Sequence, residues 1–394
     1  MKKDKLGIDA IIYGVYVALI PFNMILNFTG STINKQVGLV TGAIILLVCA
    51  FRKIYKVESS LLVPVLPIVL WAASSCLWSV DSVKSNAAII TLLSMFSLYF
   101  AGILRKFNSK EEILILLCMI ISCVIVPLFL VGNNAISVSR GTLVSSAGTA
   151  DQNSLAANMV FAAILAFAYL LKSEKLIAKV CSGLAIFMIA TGIITTGSRG
   201  ATLTLVISLV YYILKSLPEL KKSRFFWIGV IAVVIGVFAL FNYIQNNMSS
   251  VLLNRFSVNA VRADKGTDRL ILWRDFLEIF ADDPLRSLIG YGYGASSTIH
   301  AQMFGSARVP HNVYIQMLVE MGLIGFTAFI YMIRRIWKQL CISDSYLAKS
   351  LFIAVLLDFL TLGFFDNKGA WNIFLMVLII SLNSEYQTQV ETDI

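Results

Sequence analysis

Charge is scarce in this chain. Only 14% of its 394 residues are Asp, Glu, Lys or Arg, against 58% hydrophobic, where a soluble domain carries about 25% charge. That shortage excludes an ordinary water-soluble core and points to burial largely in lipid. Histidine occurs twice and cysteine six times. Cys49, Cys76, Cys118, Cys123, Cys181 and Cys341 lie in or beside apolar runs, with no Cys-x-x-Cys spacing; they read as small core residues rather than disulfides or metal ligands. Two histidines and six scattered cysteines do not build a usual zinc site, and Asp282-Asp283 alone is a weak magnesium candidate. There is no Walker loop and no Gly-x-Ser-x-Gly elbow. No metal or other cofactor is therefore expected. The net charge of +10 would suggest nucleic acid in a soluble protein; here lysines and arginines in short loops account for it, and no nucleic-acid partner is implied.

What the chain has instead is a succession of apolar runs long enough to cross a bilayer core of roughly 30 Å. They predict about twelve transmembrane helices, near 9–28, 37–52, 61–78, 86–104, 112–131, 153–171, 176–195, 200–215, 225–244, 311–333, 346–364 and 369–383. Helices rather than strands follow from their length and from the need to satisfy the backbone in lipid. Alternate loops hold 20 of the 32 Lys and Arg residues, and the remaining short loops hold five, Lys35, Lys84, Arg140, Arg199 and Lys368. The positive-inside rule puts the rich set, and both termini, in the cytoplasm. Met1-Lys2-Lys3-Asp4-Lys5 lacks a following cleavage site and reads as the start of an uncleaved first helix. The expected fold is an all-α polytopic membrane protein, one integral domain over 1–394. A long extracytoplasmic loop, 245–310, with short helices inserted in it, falls between the ninth and tenth spans. That polar insert occurs once, which weighs against a transporter built from two matching halves. A flippase would also place charges at mid-bilayer on several spans, whereas Glu320 and Asp358 are the main ones here.

The insert and the turn after it hold the chemistry-bearing residues. Residues 266–280 read as a helix with Thr267 as a candidate N-cap and Pro284 as its stop. At about 100° per residue, Arg269 shares a stripe with Trp273, Phe276 and Phe280, while Arg274, Asp275, Glu278 and Asp282 fall opposite. Arg269 then projects from the apolar face, where a guanidinium needs an anionic partner, or snorkels; Arg274 should meet water. Across the insert seven basic residues face six acids, so anion recognition must come from placement. Gly290-Tyr291-Gly292-Tyr293-Gly294 implies a tight backbone path with exposed rings at Tyr291 and Tyr293, suited to stacking on sugars or to packing. Pro310-His311 starts the tenth span, and Asn312, Gln316 and Glu320 form an i, i+4, i+8 polar stripe running into the bilayer, with Tyr314 beside it. His311 at the outer boundary is a candidate base, and Gly322 and Gly325 permit close helix contact.

Two further outward stretches matter. Thr195-Thr196-Gly197-Ser198-Arg199-Gly200 is a tight turn whose Arg199 begins a span, an arrangement suited to a phosphate. Arg140 precedes Asp151, and Asp151 fits three readings: an N-cap, a partner for an arginine, or a base.

Taken in order, Gly-Ser-Arg-Gly at 197–200, Arg269 with Trp273, the Gly-Tyr repeat at 290–294, and His311-Asn312 followed by Gly322 and Gly325 resemble the O-antigen ligase/polymerase superfamily. The resemblance implies a metal-independent, inverting glycosyltransferase of the C-type membrane fold in a bacterial cytoplasmic (inner) membrane, its active site facing outward. Its donor would be an undecaprenyl-pyrophosphate-linked oligosaccharide; its acceptor, a second lipid-linked repeat unit for a polymerase, or lipid A–core or protein for a ligase. A chain-length regulator protein is a further partner compatible with it. By motif, Arg199 and Arg269 would hold the pyrophosphate and His311 would orient or deprotonate the acceptor. Arg140, Asp151, Asn312, Tyr314, Arg274, Glu320, Tyr291 and Tyr293 are the candidate substrate-binding residues around them. The near-neutral insert favours the polymerase, since nothing in it is dedicated to a large phosphorylated core acceptor.

Overall fold

The computed structural model describes residues 6–22, 27–28, 31–55, 58–131, 143–145, 148–149, 151–221, 268–343, 345–363 and 365–392, with positions 231, 235, 238, 242 and 246. Apart from two hairpins of two-residue strands, 27–28 with 31–32 and 144–145 with 148–149, the described residues form helices and their connections. Six helices are long and apolar enough to cross a membrane, and Ile8–Phe22, Gln36–Phe51, Leu66–Leu77 and Lys368–Ser384 are shorter apolar helices. The protein is a multi-pass membrane protein. Most of the expected ninth span, and of the loop between it and residue 268, lies outside the described residues.

Packing groups the chain into two compact units. The first takes in Met1–Val37, Phe107–Ala260 and Ser345–Asp358. Its helices are α1 (Ile8–Leu19), α6 (Ser109–Val131), α7 (Gln152–Lys172), α8 (Leu176–Thr195), α9 (Arg199–Leu220) and α14 (Tyr346–Asp358). Helix α7 is buried almost throughout, as expected of a helix apolar on every face inside a bundle. Small residues set the close approaches: Gly14 of α1 lies against Cys118, and Gly192 of α8 against Pro127 and Met159. The buried Glu111 carboxylate ties α1 to α6 by accepting the Gly7 N–H at 3.0 Å. Ser350 donates to the Ser208 carbonyl at 2.8 Å, joining α14 to α9.

The second unit takes in Gly38–Lys106, Val261–Asp344 and Phe359–Ile394. It contains most of α2 (Ile33–Phe51), then α3 (Ser59–Leu62), α4 (Leu66–Ser74), α5 (Ser82–Arg105), α10 (Arg269–Asp282), α11 (Pro284–Ile289), α12 (Ser296–Phe304), α13 (Val313–Ile342) and α15 (Lys368–Thr392). The third expected span is thus divided by a turn at 63–65, where Pro64 removes a donor.

The expected tenth span starts two residues later than the sequence suggests and is broken inside. Helix α13 begins at Val313 with Asn312 as its N-cap, and Gly322 interrupts it at φ 64°, ψ −172°, a conformation open essentially to glycine alone. The break takes carbonyls out of the helical ladder, and donors from elsewhere in the unit reach them. Tyr291 N–H donates to Val319 O at 3.0 Å and Gly292 N–H to Glu320 O at 2.9 Å. Trp71 Nε1 donates to Met321 O at 2.9 Å. The crossing is so close that a Cβ on Gly290 would collide with the Glu320 carbonyl, and one on Gly322 with the Leu288 carbonyl. Gly322 therefore does more than allow helices to approach; it makes the break.

Gly322→Ala is expected to cost about 1–3 kcal/mol from backbone conformation alone, before the steric overlap is counted. The purified protein in detergent should unfold at a clearly lower temperature. Gly183→Ala, where an added Cβ meets nothing within 4 Å, is the control. Equal melting temperatures for the two variants would refute the proposed role of the break.

Candidate active site

His311 stands in a turn fixed on both sides. It is half-buried, with φ 48°, a left-handed conformation uncommon for a residue with a Cβ. On its N-terminal side, Trp273 Nε1 donates to the Pro310 carbonyl at 3.0 Å. On its C-terminal side, the Asn312 side chain accepts from Ile315 N–H at 3.2 Å, and Val313 N–H donates to Phe359 O at 2.8 Å. Gly363 backs the residue: a Cβ there would sit 3.0 Å from His311 Cα and N. Pro310 and His311 therefore precede the helix rather than form its first turn, and Asn312, expected to touch substrate, has its side-chain oxygen committed to the cap. Tyr314, one turn inside, is half-buried with its ring 5.8 Å from Phe329.

Helix α10 supplies Trp273 and, one turn earlier, Arg269, its half-buried first residue. Arg274 meets water as expected, its side chain 75% exposed with Nη2 3.4 Å from Asp275 Oδ1. Asp275 does not: it is buried. The inward arc centres on Leu272, Phe276 and Ile279, about 60° round the helix from Arg269 at about 100° per residue, and Asp275 lies on its edge. There it meets His300, which sequence reasoning passed over. His300 is buried, Nε2 3.7 Å from Asp275 Oδ2, with Nδ1 2.5 Å from the Ser306 carbonyl. Its ring centroid is 5.1 Å from both Phe276 and Phe304. The ring packing on Phe276, beside Asp275, brings α12 against α10.

The Gly-Tyr loop corrects two expectations. Tyr291 and Tyr293 are not exposed rings; they are 6% and 1% exposed, because the loop's backbone is held against the broken turn of α13 and its side chains go inward. Tyr291 donates its hydroxyl to Ile279 O at 3.2 Å and takes the Arg286 guanidinium 5.5 Å over its ring. Burial raises the Tyr291 phenol, with Asp282 and Asp283 adding to it and Arg286 opposing. Burial also holds the Tyr293 phenol well above the usual range, with the charges of Asp366 and Glu320 reinforcing it. Neither ring has a face free for a sugar. Glu320 is the second correction. It is fully buried and accepts from Gly294 N–H at 2.9 Å, Ser296 N–H at 3.3 Å and Gln316 Nε2 at 3.1 Å. The polar stripe on α13 thus faces this loop and the start of α12, and Glu320 is a clamp for both rather than a substrate ligand.

In the other unit, Arg199 is half-buried at the first position of α9, after Gly197 turns the chain at φ 63°. Ser198 beside it donates to Asn153 Oδ1 at 3.0 Å. Asp151 takes the capping reading: it is the exposed N-cap of α7, accepting from Ser154 N–H at 2.7 Å. Arg140 lies outside the described residues.

Residues 183–330 match the family model of the O-antigen ligase. That match, over 148 of the 394 residues, supports the O-antigen ligase/polymerase superfamily. The match runs from α8 past the break in α13, so it includes Arg199, Arg269, His311 and the Gly-Tyr loop. No curated protein matches the chain. The matched family points to a glycosyltransferase-like enzyme of O-antigen assembly, with lipid-linked glycans as its substrates.

Besides His300, sequence reasoning missed the 71–79 and 363–366 segments. Ser75 Oγ accepts from Tyr293 N–H at 2.9 Å, and Asp366 lies within electrostatic reach of the Tyr293 hydroxyl. Small hydroxyls and a lone Gly-Phe-Phe-Asp turn carry no sequence signal for such roles. The N-terminus of α5 also braces α12: Lys84 Nζ donates to Ser297 Oγ at 3.1 Å and Thr298 Oγ1 at 2.8 Å, and Thr298 Oγ1 donates to Asp81 Oδ2 at 2.6 Å. The Lys84 backbone N–H, and after it the Thr298 hydroxyl, hold the Asp81 carboxyl below its usual range. A carboxyl lowered on folding stabilises the fold above its unfolded value, about 4, and that contribution fades as pH falls through the lower folded value. Asp81→Ala should therefore melt below the parent at pH 7, with the gap narrowing in acid. A gap that stays constant from pH 7 to pH 3 would show that the carboxylate is not what braces α12.

Proposed function

We propose that the protein is a polymerase of surface-polysaccharide repeat units, using an undecaprenyl-pyrophosphate-linked glycan as donor at the outer face of a bacterial cytoplasmic membrane. The observation that carries this reading is the 3.0 Å hydrogen bond from Trp273 to the Pro310 carbonyl. It ties the residue before His311 to the helix that begins with Arg269, which supports assigning the imidazole as base and that guanidinium to the same site.

In the proposed reaction the acceptor hydroxyl oxygen attacks the anomeric carbon as the bond from that carbon to the pyrophosphate oxygen breaks, inverting the configuration. His311 takes the hydroxyl proton. Arg269, with Arg199, takes up the negative charge that collects on the departing lipid pyrophosphate. Guanidinium groups stay charged at any working pH, so the stabilisation needs no metal. Arg274, exposed on α10, is assigned to the incoming glycan rather than to the leaving group. The full architecture in this reading has about twelve spans with the insert facing outward.

The ligase reading has one observation of its own, the matched family's description as an O-antigen ligase. Incubation with purified undecaprenyl-pyrophosphate repeat unit and no other acceptor separates the two. A ladder of lengths is expected; transfer only after lipid A–core is added would establish the ligase instead. His311→Ala, Arg199→Ala and Arg269→Ala should each abolish surface glycan while leaving membrane abundance unchanged. Full activity of purified His311→Ala would remove the base assignment. Trp273→Phe keeps the ring but loses the hydrogen bond, and should lower kcat more than it raises KM; an unchanged kcat would detach that bond from catalysis.

A further inference from the structure

The loop that the sequence places in water exposes leucines like a membrane face. In α11, Leu285 is 61% and Leu288 46% exposed. Just past the break, Leu323 is 47% and Ile324 39% exposed on α13, one of the six long apolar helices. These positions adjoin one another, since the Leu288 carbonyl lies against Gly322. Arg286 Nη1 also donates to the Trp78 carbonyl at 2.8 Å, beside Leu77, which is 83% exposed.

We propose that α11 is a membrane anchor whose Leu285 and Leu288 lie among the acyl chains of the bilayer, continuous with the lipid-facing side of α13. The polar groups of α11 are already engaged and offer nothing to a protein partner. Arg286 is turned onto the Trp78 and Gly290 carbonyls and the Tyr291 ring, and Asp283 accepts from the Leu285 and Arg286 amides at 2.8 and 3.3 Å. Trp71 and Trp78, with rings 5.3 Å apart, are of the residue type that gathers at membrane boundaries.

A second observation is independent of the leucines. Non-helical backbone is tolerated at membrane depth only when its polar groups are met by protein. After α11, every amide from Gly290 to Ser296 has an acceptor. Gly290 donates to Arg286 O, Tyr291 to Val319 O, Gly292 to Glu320 O and Ala295 to Gly292 O. Tyr293 donates to Ser75 Oγ, and Gly294 and Ser296 to the Glu320 carboxylate. An ordinary aqueous loop leaves some of its amides to water; this one leaves none of them.

The test attaches a nitroxide to Leu285→Cys or Leu288→Cys, in a chain whose six native cysteines are replaced by alanine, reconstituted in phosphatidylcholine vesicles. Glu278→Cys and Gln302→Cys, both exposed, are the aqueous references. Collision with dissolved oxygen, relative to a water-soluble nickel complex, should be severalfold higher at 285 and 288 than at the references. Nickel access equal to the references would overturn the anchor. Low access to both reagents would mean that protein covers the face, and would overturn it as well. Two independent positions guard against one label disturbing the fold.

Discussion

A helix that breaks in a low-dielectric setting must find new donors for the carbonyls it frees, or lose several kcal/mol for each. The break at Gly322 is where this protein meets that demand. The amides of Tyr291 and Gly292 and the indole of Trp71 reach the Val319, Glu320 and Met321 carbonyls, and much of the second unit is arranged by the need to bring them there. Gly290 and Gly322 let the two backbones cross. Glu320, one residue from the freed Met321 carbonyl, turns its carboxylate onto Gly294 and Ser296, which fixes the start of α12. Helix α12 in turn packs on α10 through the His300 ring against Phe276, beside Asp275. The invariant demand of backbone satisfaction thus runs from a glycine inside a span to the helix that bears Arg269.

The turn that holds His311 is built by the same logic on a smaller scale. His311 occupies a left-handed conformation that costs energy for a residue with a Cβ, and it is held by neighbours on both sides. The indole of Trp273 binds the carbonyl before it, the Asn312 cap and the Phe359 carbonyl secure the turn after it, and Gly363 leaves room behind it. Such over-determination fits a side chain whose direction matters more than its stability. It also explains why tryptophan, and not merely an apolar residue, stands one turn after Arg269: the ring fills space, but the N–H sets position.

Much of this was legible in the sequence. Apolar run length gave the helical membrane class, and the Gly-Ser-Arg-Gly, Arg269-Trp273 and His311-Asn312 groups lie within the segment that the superfamily's model matches. The exposure of Arg274 followed from helical phase alone. What periodicity could not show was which way a short loop turns its side chains. Tyr291 and Tyr293 read as sugar platforms because alternation with glycine suggests exposure, yet their rings go inward once the loop's amides are spent on α13. Asp275 was misplaced because the apolar arc was centred on Arg269 rather than on Leu272, a shift of less than one residue's rotation. Glu320 looked like a group aimed at a cavity, because a carboxylate accepting backbone amides cannot be told from one awaiting a ligand until the amides are located. Each failure comes from a long-range partner that a local pattern does not contain.

Depth in the bilayer connects the break to the chemistry. Val313 to Gly322 is ten residues, about 15 Å along a helix axis at about 1.5 Å per residue. In the anchored arrangement proposed above, with Leu285, Leu288 and Leu323 among acyl chains, the break at Gly322 sits beside lipid and the His311 turn lies no more than about that length away from it. The proposed donor, a polyprenyl pyrophosphate, would carry its reacting end close to the same lipid, on a chain that itself remains in the bilayer. A soluble loop could present the same histidine and arginine, but it would have to lift the leaving group out of the membrane first. In the proposed reaction, tethering the His311 turn to a helix broken beside lipid, and to a neighbouring helix whose leucines share that lipid, keeps the site where the bilayer holds the donor.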